Sequence, residues 1–183
     1  MNRLKTYSFE IAICIVGYVG FFYLTGFINQ QFEVNKSVSW LFPPAGLRIF
    51  LILIFIYSGA VGLCIASLFI NYMSFSDLDN CTMLGVVIIS GLAPLLSRLF
   101  VIHHFQVDRD LHNLTIRQLV MIIFTFALFS SGLHQLWFMT RGIDSGSWSL
   151  FVTMFFGDIF GSIVFIAMIK YGIAYLRRRY VRQ

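Results

Sequence analysis

Four residues whose side chains could do chemistry lie in or beside strongly apolar stretches: Trp40, Arg48, His134 and Asp158. A carboxylate has too short a stem to reach water from the middle of an apolar helix, so Asp158 must be paired, hydrated or protonated. A charged Arg48 inside such a helix is also costly unless it is paired or meets water. These residue types predict either a ligand or signal-sensing site or an ion pair that fixes helix packing.

The stretch from Trp40 to Arg48 predicts a loop that leads directly into a helix. Pro43 and Pro44 suit the loop and the first helical turn, where a missing N–H group costs little. Gly46 permits a close approach by a neighbouring helix. Arg48 then lies about one turn inside the outer boundary, where it either extends to the outer headgroups or contacts an anion or ligand in the bundle interior.

Asp158 is flanked by Gly157 and Gly161, a GxxxG spacing that would let another helix approach closely. Arg48 descends from the outer surface and Asp158 lies near the midplane of the last helix. A direct ion pair between them is therefore predicted if the second and sixth helices are neighbours. Such a pair would either fix the packing or form part of a ligand site.

His134 lies at a depth similar to that of Arg48, and no second histidine shares that depth. A buried histidine that is hydrogen-bonded to a neighbour is expected, and not a haem or metal ligand. Glu10 and Arg98 are expected to reach water near helix ends. No P-loop, GxSxG or HExxH motif occurs. We therefore predict no catalytic residue, no metal site and no cofactor.

The composition defines the setting of these residues, because 58% of the 183 residues are hydrophobic and only 11% are charged. Soluble domains carry roughly a quarter charged residues, so lipid must surround this chain, whose mean hydropathy is +0.83. The net charge of +5 is concentrated near the ends of apolar segments, which membrane topology explains without nucleic-acid binding. The fold class predicted is an all-α, polytopic transmembrane helical bundle.

Six apolar runs meet or approach the roughly 20 residues that span a bilayer. They cover residues 8–28, 42–57, 59–75, 82–102, 117–138 and 148–176. Only Ser58 and Gly59 mark the break between the second and third runs, which predicts a tight helical hairpin that is tilted or not fully spanning. The prediction is one domain, residues 1–183, of about six helices.

The basic residues orient the bundle, since short cytoplasmic loops carry an excess of lysine and arginine. Placing both termini in the cytoplasm leaves only Lys36 and Arg141 in outer loops, together with Asp77 and Asp79. The aromatic residues Trp40, Trp137 and Trp148 then fall near outer helix ends, where such rings favour the interface. The basic residues that this orientation places in the cytoplasm are Arg3, Lys5, Arg109, Arg117, Arg177, Arg178, Arg179 and Arg182.

The chain resembles the first class of the bacterial MASE family, which are membrane-associated sensor domains attached to histidine kinases and diguanylate cyclases. The resemblance is carried by Trp40 to Arg48, by the following apolar hairpin with its glycines, and by the stretch from Gly157 to Gly161. It implies a bacterial inner-membrane protein in which Arg48 and Asp158 sense a ligand or signal. Family domains are usually longer and feed an output domain, so kinase or cyclase activity is not implied, and the chain would act through a partner protein.

Three functions remain open at this point. The first is a non-enzymatic sensory or accessory subunit that binds a small ligand or a partner membrane protein. The second is a substrate-binding component of an energy-coupling-factor type transporter, with Ala60, Gly62 and Ala66 as the docking face for a scaffold subunit. The third is a structural subunit of a larger membrane complex, in which Asp158 serves packing.

Overall fold

The computed structural model describes residues 3–35, 38–74, 79–105, 115–143 and 146–180. The two short strands β1 (Glu33–Asn35) and β2 (Val38–Ser39) form an antiparallel pair. The helices are α1 (Arg3–Leu24), α2 (Gly26–Gln31), α3 (Pro44–Ser74), α4 (Asn80–Phe105), α5 (Ile116–Thr140) and α6 (Trp148–Tyr180). The prediction of an all-α helical bundle is confirmed.

Five of these helices, α1, α3, α4, α5 and α6, are long and apolar enough to cross a membrane. Their outward faces carry large apolar side chains, such as Val16, Tyr72, Val120 and Leu136. Such a surface requires lipid, because large apolar side chains are unfavourable in water. The helices can lie in lipid, since each satisfies its own backbone hydrogen bonds. The chain is therefore a multi-pass membrane protein.

Helix α3 reverses its direction at Ile56, whose backbone has φ 46° and ψ −104°. In a straight helix, residues eight apart are separated by about 12 Å. A Cβ atom added to Gly59 would instead lie 2.9 Å from the carbonyl oxygen of Leu51. The predicted hairpin thus lies inside α3, and its turn is at Ile56 instead of at Ser58 and Gly59. Because Gly59 has no side chain, the second half of α3 can pass close to the end of the first.

The contacts of α1 show that the two halves of α3 run in opposite directions. Along α1, the partner residues in the second half of α3 ascend in number, and Tyr18 also reaches back to Arg48, which lies before the turn at Ile56. The contacts are Glu10 with Ser58, Cys14 with Gly62, Tyr18 with Arg48, and Tyr23 with Ser74. Helix α1 touches few other elements, so it is a peripheral helix held mainly by α3.

Helices α4, α5 and α6 form a closed ring of neighbours with α3. The Ser67 hydroxyl donates to the Ser90 hydroxyl at 3.0 Å between α3 and α4, and the Ser97 hydroxyl donates to the Ile122 carbonyl at 3.0 Å between α4 and α5. Helix α6 packs between α5 and the first half of α3. The second and sixth apolar runs are therefore neighbours, as an Arg48–Asp158 pair would require.

The interior of the bundle contains two clusters of buried apolar side chains. One joins α1 and α3 to Phe165 of α6, and the other joins the first half of α3 to α4 and α5. Representative members of the first are Cys14, Tyr18, Leu51 and Leu63, and those of the second are Ala45, Ile89, Val101, Ile122 and Phe126. These clusters fix the helix faces from which the polar side chains project.

Asp79 ties the beginning of α4 to the end of α5. Its carboxylate accepts hydrogen bonds from the backbone N–H groups of Cys81 and Thr82, and it pairs with the Arg141 guanidinium at 3.0 Å. The indole N–H of Trp137 donates to the Thr82 carbonyl at 3.0 Å. The hydrogen bonds from Thr82, followed by the charge of Arg141, lower the pKa of Asp79 below 3.8. This end of the bundle is the one predicted to face outwards.

The orientation of the bundle remains a prediction. Several residues on which it depends lie outside the residues that the structure describes: Lys36, Asp77, Arg109 and Arg182. The described basic residues Arg3, Lys5, Arg177 and Arg178 are exposed near the two chain ends.

Candidate functional site

Arg48 is held inside the bundle and does not extend to the outer headgroups, since only 8% of its surface is exposed. Its Nε atom donates a hydrogen bond to the Tyr18 hydroxyl at 2.6 Å. The guanidinium carbon lies 5.2 Å from the centre of the Tyr18 ring and 5.4 Å from that of the Phe42 ring. Aromatic faces attract a cation, so both rings help to stabilise the buried charge.

Asp158 is the most buried ionisable residue of α6, with 1% of its surface exposed. Its backbone carbonyl accepts from the Ser162 hydroxyl at 2.7 Å. The carboxyl Oδ2 atom has no hydrogen-bond partner among the residues that the structure describes. The Ser130 hydroxyl on α5 is close enough to interact with this carboxyl group, but it does not meet the geometry of a hydrogen bond. Buried polar atoms of this kind normally have a partner, so a proton, a water molecule or a ligand must complete the site.

The predicted direct ion pair between Arg48 and Asp158 is not formed in the described part of the chain. The two charges nevertheless interact electrostatically, because α3 and α6 bring them into one region of the interior. The guanidinium instead engages Tyr18 and Phe42. The two groups are therefore held near each other without contact, and each keeps unused hydrogen-bonding capacity.

His134 joins the same region from α5, with 4% of its surface exposed. Its Nδ1 atom lies 2.8 Å from the Ser130 carbonyl oxygen, one turn earlier in the helix. A carbonyl can only accept, so Nδ1 carries the hydrogen. The imidazole also interacts electrostatically with Arg48. The expectation of a buried histidine that is hydrogen-bonded to a neighbour is confirmed.

These residues form one polar cluster inside the bundle, which we define as Tyr18, Arg48, Ser130, His134 and Asp158. It draws on four helices, α1, α3, α5 and α6. Of the sequence candidates, Arg48, His134 and Asp158 are brought together. Tyr18 and Ser130 were not among the candidates, because tyrosine and serine occur commonly in membrane helices. The spacing of Glu10, Cys14 and Tyr18 along one face of α1 was the available signal for Tyr18.

Gln135 is a third residue that sequence reasoning missed. Its Oε1 atom accepts from the Ser147 backbone N–H at 3.0 Å, which ties the end of α5 to the beginning of α6. Its Nε2 atom is buried and has no partner within the described ranges. The side chain therefore contributes another unused donor on α5, one residue from His134.

The GxxxG glycines of α6 receive a non-helical segment of the chain, and the prediction that they receive a helix is wrong. Cβ atoms at Gly157 and Gly161 would overlap the carbonyl groups of Ser39 and Phe42, respectively. The Phe42 N–H also donates to the Gly157 carbonyl at 3.2 Å. The two glycines thus seat the segment that leads into α3 and carries the Phe42 ring to Arg48.

Gly46 provides the close helix contact that was predicted for it. A Cβ atom there would lie 2.9 Å from the Cα atom of Ser162 and 2.5 Å from Cβ of Phe165. The backbones of helices α3 and α6 are therefore in close contact about one helical turn after Asp158. This contact explains why Arg48 and Asp158 share one region of the interior.

Trp40 does not belong to the polar cluster. Its side chain is 44% exposed, and its backbone N–H donates to the Phe32 carbonyl at 2.9 Å. It lies in the segment seated on Gly157, but the described contacts do not include one between its ring and the cluster. As a candidate sensing residue, it is therefore separated from the other three.

Two further expectations differ from the structure. Arg98 is only 5% exposed, close enough to Tyr57 for an electrostatic interaction, and does not reach water. Glu10, by contrast, is only partly buried, and it accepts a hydrogen bond from the Ser58 hydroxyl beside the α3 turn. The proposed docking face is used internally, because Gly62 packs against Cys14 and Ala66 is fully buried.

Within the described ranges, histidine, cysteine and acidic residues do not form a group of three or more that could hold a metal ion. His112, Asp108 and Asp110 lie outside those ranges. Comparison with protein-family models, curated proteins and solved structures gives no match. The resemblance to the MASE family therefore stays a prediction, and the function must be argued from the polar cluster.

Proposed function

We propose that this chain is a non-enzymatic membrane subunit with a sensory or accessory role, which binds a small ligand at the polar cluster or a partner membrane protein near it. One observation carries the proposal. Arg48 and Asp158 are both buried in the interior, yet they do not neutralise each other by direct contact, and Asp158 Oδ2 has no partner among the described residues.

A role in packing alone accounts poorly for this arrangement. Burying two charges is repaid only when their geometry is good and additional hydrogen bonds satisfy the remaining atoms. Here the carboxyl oxygen and the Ser130 hydroxyl are left unsatisfied within the described part of the bundle. An apolar pair of similar volume would pack the helices at lower cost. Unused polar groups in a membrane interior favour binding over packing.

Helix α6 offers a path from the cluster to the other end of the bundle. It has 33 residues and is therefore about 50 Å long, whereas the hydrocarbon core is about 30 Å thick. Asp158 lies in its first half, and the exposed Arg177 and Arg178 lie near its end. A shift of α6 on binding would move this basic end, which suits anionic headgroups or a signalling partner in the cytoplasm. A bacterial inner membrane is part of the same proposal.

The transporter alternative has less support. It needs an exposed face of small residues for a scaffold subunit, but Gly62 and Ala66 are packed inside the chain. The alternative of a structural subunit requires Asp158 to be satisfied by the packing, which its unpartnered oxygen does not favour.

The test is purification of the full chain in mild detergent, followed by mass spectrometry of the proteins and small molecules that come with it. We expect a small molecule or a partner in stoichiometric amount, and we expect Arg48→Gln and Asp158→Asn to reduce its recovery. Arg141→Gln is the matched control, since it removes an exposed arginine from the ion pair with Asp79. Recovery that is equal in folded Arg48 and Asp158 variants would refute the role of the cluster.

A further inference from the structure

The charge balance of the polar cluster restricts what it can bind. When both groups are ionised, Arg48 contributes one positive charge and Asp158 one negative charge, and both are buried. His134 has its Nδ1 hydrogen directed at the Ser130 carbonyl and need not carry a charge. An added anion or cation would leave one buried charge without compensation, which is strongly unfavourable. A molecule with no net charge avoids that penalty.

The unused hydrogen-bonding groups set the shape of such a molecule. Only the Nε atom of Arg48 makes a hydrogen bond to a described residue, so its two terminal nitrogens can donate to an acceptor. At the other end, Asp158 Oδ2 can accept, and the Ser130 hydroxyl can do either. A molecule that bridges them needs an acceptor facing Arg48 and a donor facing Asp158.

The enclosure of the polar cluster limits the size of a molecule that could bind there. Arg48, Ser130, His134 and Asp158 are all buried between α3, α5 and α6. The segment before α3 lies against α6 at Gly157 and Gly161, and its Phe42 ring lies over the guanidinium. Because these side chains are buried, a large molecule could not contact all of them without opening the bundle.

We propose that the polar cluster binds a small molecule of zero net charge that carries a carboxylate or carbonyl acceptor for Arg48 and an ammonium, amide or hydroxyl donor for Asp158. A small zwitterionic amino acid and a small hydroxy amide both have this chemistry. The inference rests on the proposed function and names the class of ligand for the same site.

The experiment compares four probes of nearly equal size by their effect on the melting temperature of the full chain in detergent. Glycine is a zwitterion, glycolamide is neutral, glycinamide is a cation and glycolate is an anion. We expect glycine and glycolamide to raise the melting temperature by about 3 to 6 °C when the free probe is about ten times its Kd. The two charged probes should give no rise. If glycolate raised the melting temperature as much as glycine does, the requirement for zero net charge would be wrong, although the cluster would still bind a ligand.

Variants with altered charge give a readout that a purely structural role would not move. In Asp158→Asn the cluster gains a net positive charge, so the preference should change from glycine to glycolate. In Arg48→Gln it should change to glycinamide. Arg48→Lys, which keeps the charge, serves if Arg48→Gln does not fold, and it should keep the preference for glycine with a smaller rise. Arg141→Gln should behave like the unchanged chain.

The possible failures are distinguishable. If none of the probes raises the melting temperature, the ligand class is wrong, whereas a partner recovered with the chain in a manner dependent on Arg48 would still support the proposed function. If glycine stabilises the chain equally in the Arg48 and Asp158 variants, the binding site lies elsewhere, and both proposals fail.

Discussion

Replacing Gly161 by alanine tests whether the non-helical segment before α3 packs directly against α6. A Cβ atom at this position would overlap the carbonyl group of Phe42 and lie 2.8 Å from the nitrogen of Pro43. All of these are backbone atoms, which cannot rotate away as the end of a flexible side chain can. Either the segment or α6 must therefore move as a unit.

The expected cost follows from comparing two opposing effects. Inserting a methyl group into a tightly packed interior costs about 1 to 3 kcal/mol. Alanine in a helix is favoured over glycine by about 0.5 to 1 kcal/mol, which offsets part of that cost. We therefore expect Gly161→Ala to lower the free energy of unfolding by about 1 to 2 kcal/mol. The shift should also displace the Phe42 ring from the Arg48 guanidinium.

Gly172→Ala on the same helix is the matched control, because a Cβ atom there would meet no other atom within 4 Å. Only the helix-propensity gain applies at that position, so this variant should be as stable as the unchanged chain or slightly more stable. Both variants would be compared by thermal unfolding in the same detergent. Equal stability of the two would refute the close approach of the segment to α6.

Three further predictions concern other parts of the bundle. Ile56→Gly should raise the free energy of unfolding by about 1 kcal/mol, since only glycine adopts the backbone of the α3 turn without strain. If α3 were instead a straight helix, the same substitution would lower the free energy of unfolding by about 1 kcal/mol, because glycine is unfavourable inside a helix. Such a loss in thermal unfolding would refute the turn. Tyr18→Phe keeps the ring over Arg48 but removes the acceptor of its Nε hydrogen bond, so a loss of about 2 kcal/mol in unfolding measurements is expected. Tyr171→Phe on the exposed face of α6 is its control, and equal effects of the two would contradict the buried bond. The lowered pKa of Asp79 stabilises the fold above pH 3.8, and this stabilisation is lost as the pH falls through the folded-state pKa. Asp79→Asn should therefore flatten the acid side of a plot of stability against pH, and an unchanged acid limb would show that the carboxylate is not held by Thr82 and Arg141.

The polar cluster could be predicted only in part. Arg48 and Asp158 stand out in the sequence because charge is costly in hydrocarbon wherever it lies, and that cost depends on residue type alone. Whether they touch depends on the rotation of α3 and α6 about their axes, which Gly46 sets through its contact with Ser162. Transmembrane helices are apolar on all sides, so the sequence pattern does not identify the inward face.

The same limit explains the residues that sequence reasoning misplaced. Arg98 was expected to reach water because its helix end is near, but its position on α4 directs it into the bundle. Gly157 and Gly161 were expected to seat a helix, because a GxxxG spacing indicates a close approach without identifying what approaches. In the structure, the non-helical chain from Ser39 to Phe42 packs there.

The sequence by itself determined the class of this protein: the lengths of its apolar runs match the thickness of a bilayer, and this is a local property of each run. It also determined which side chains need a reason to be buried. The tertiary structure decided that α3 turns back at Ile56 and that Tyr18, not Asp158, bonds to Arg48. These features depend on contacts between residues far apart in the chain, where small differences in helix rotation and depth choose the partners.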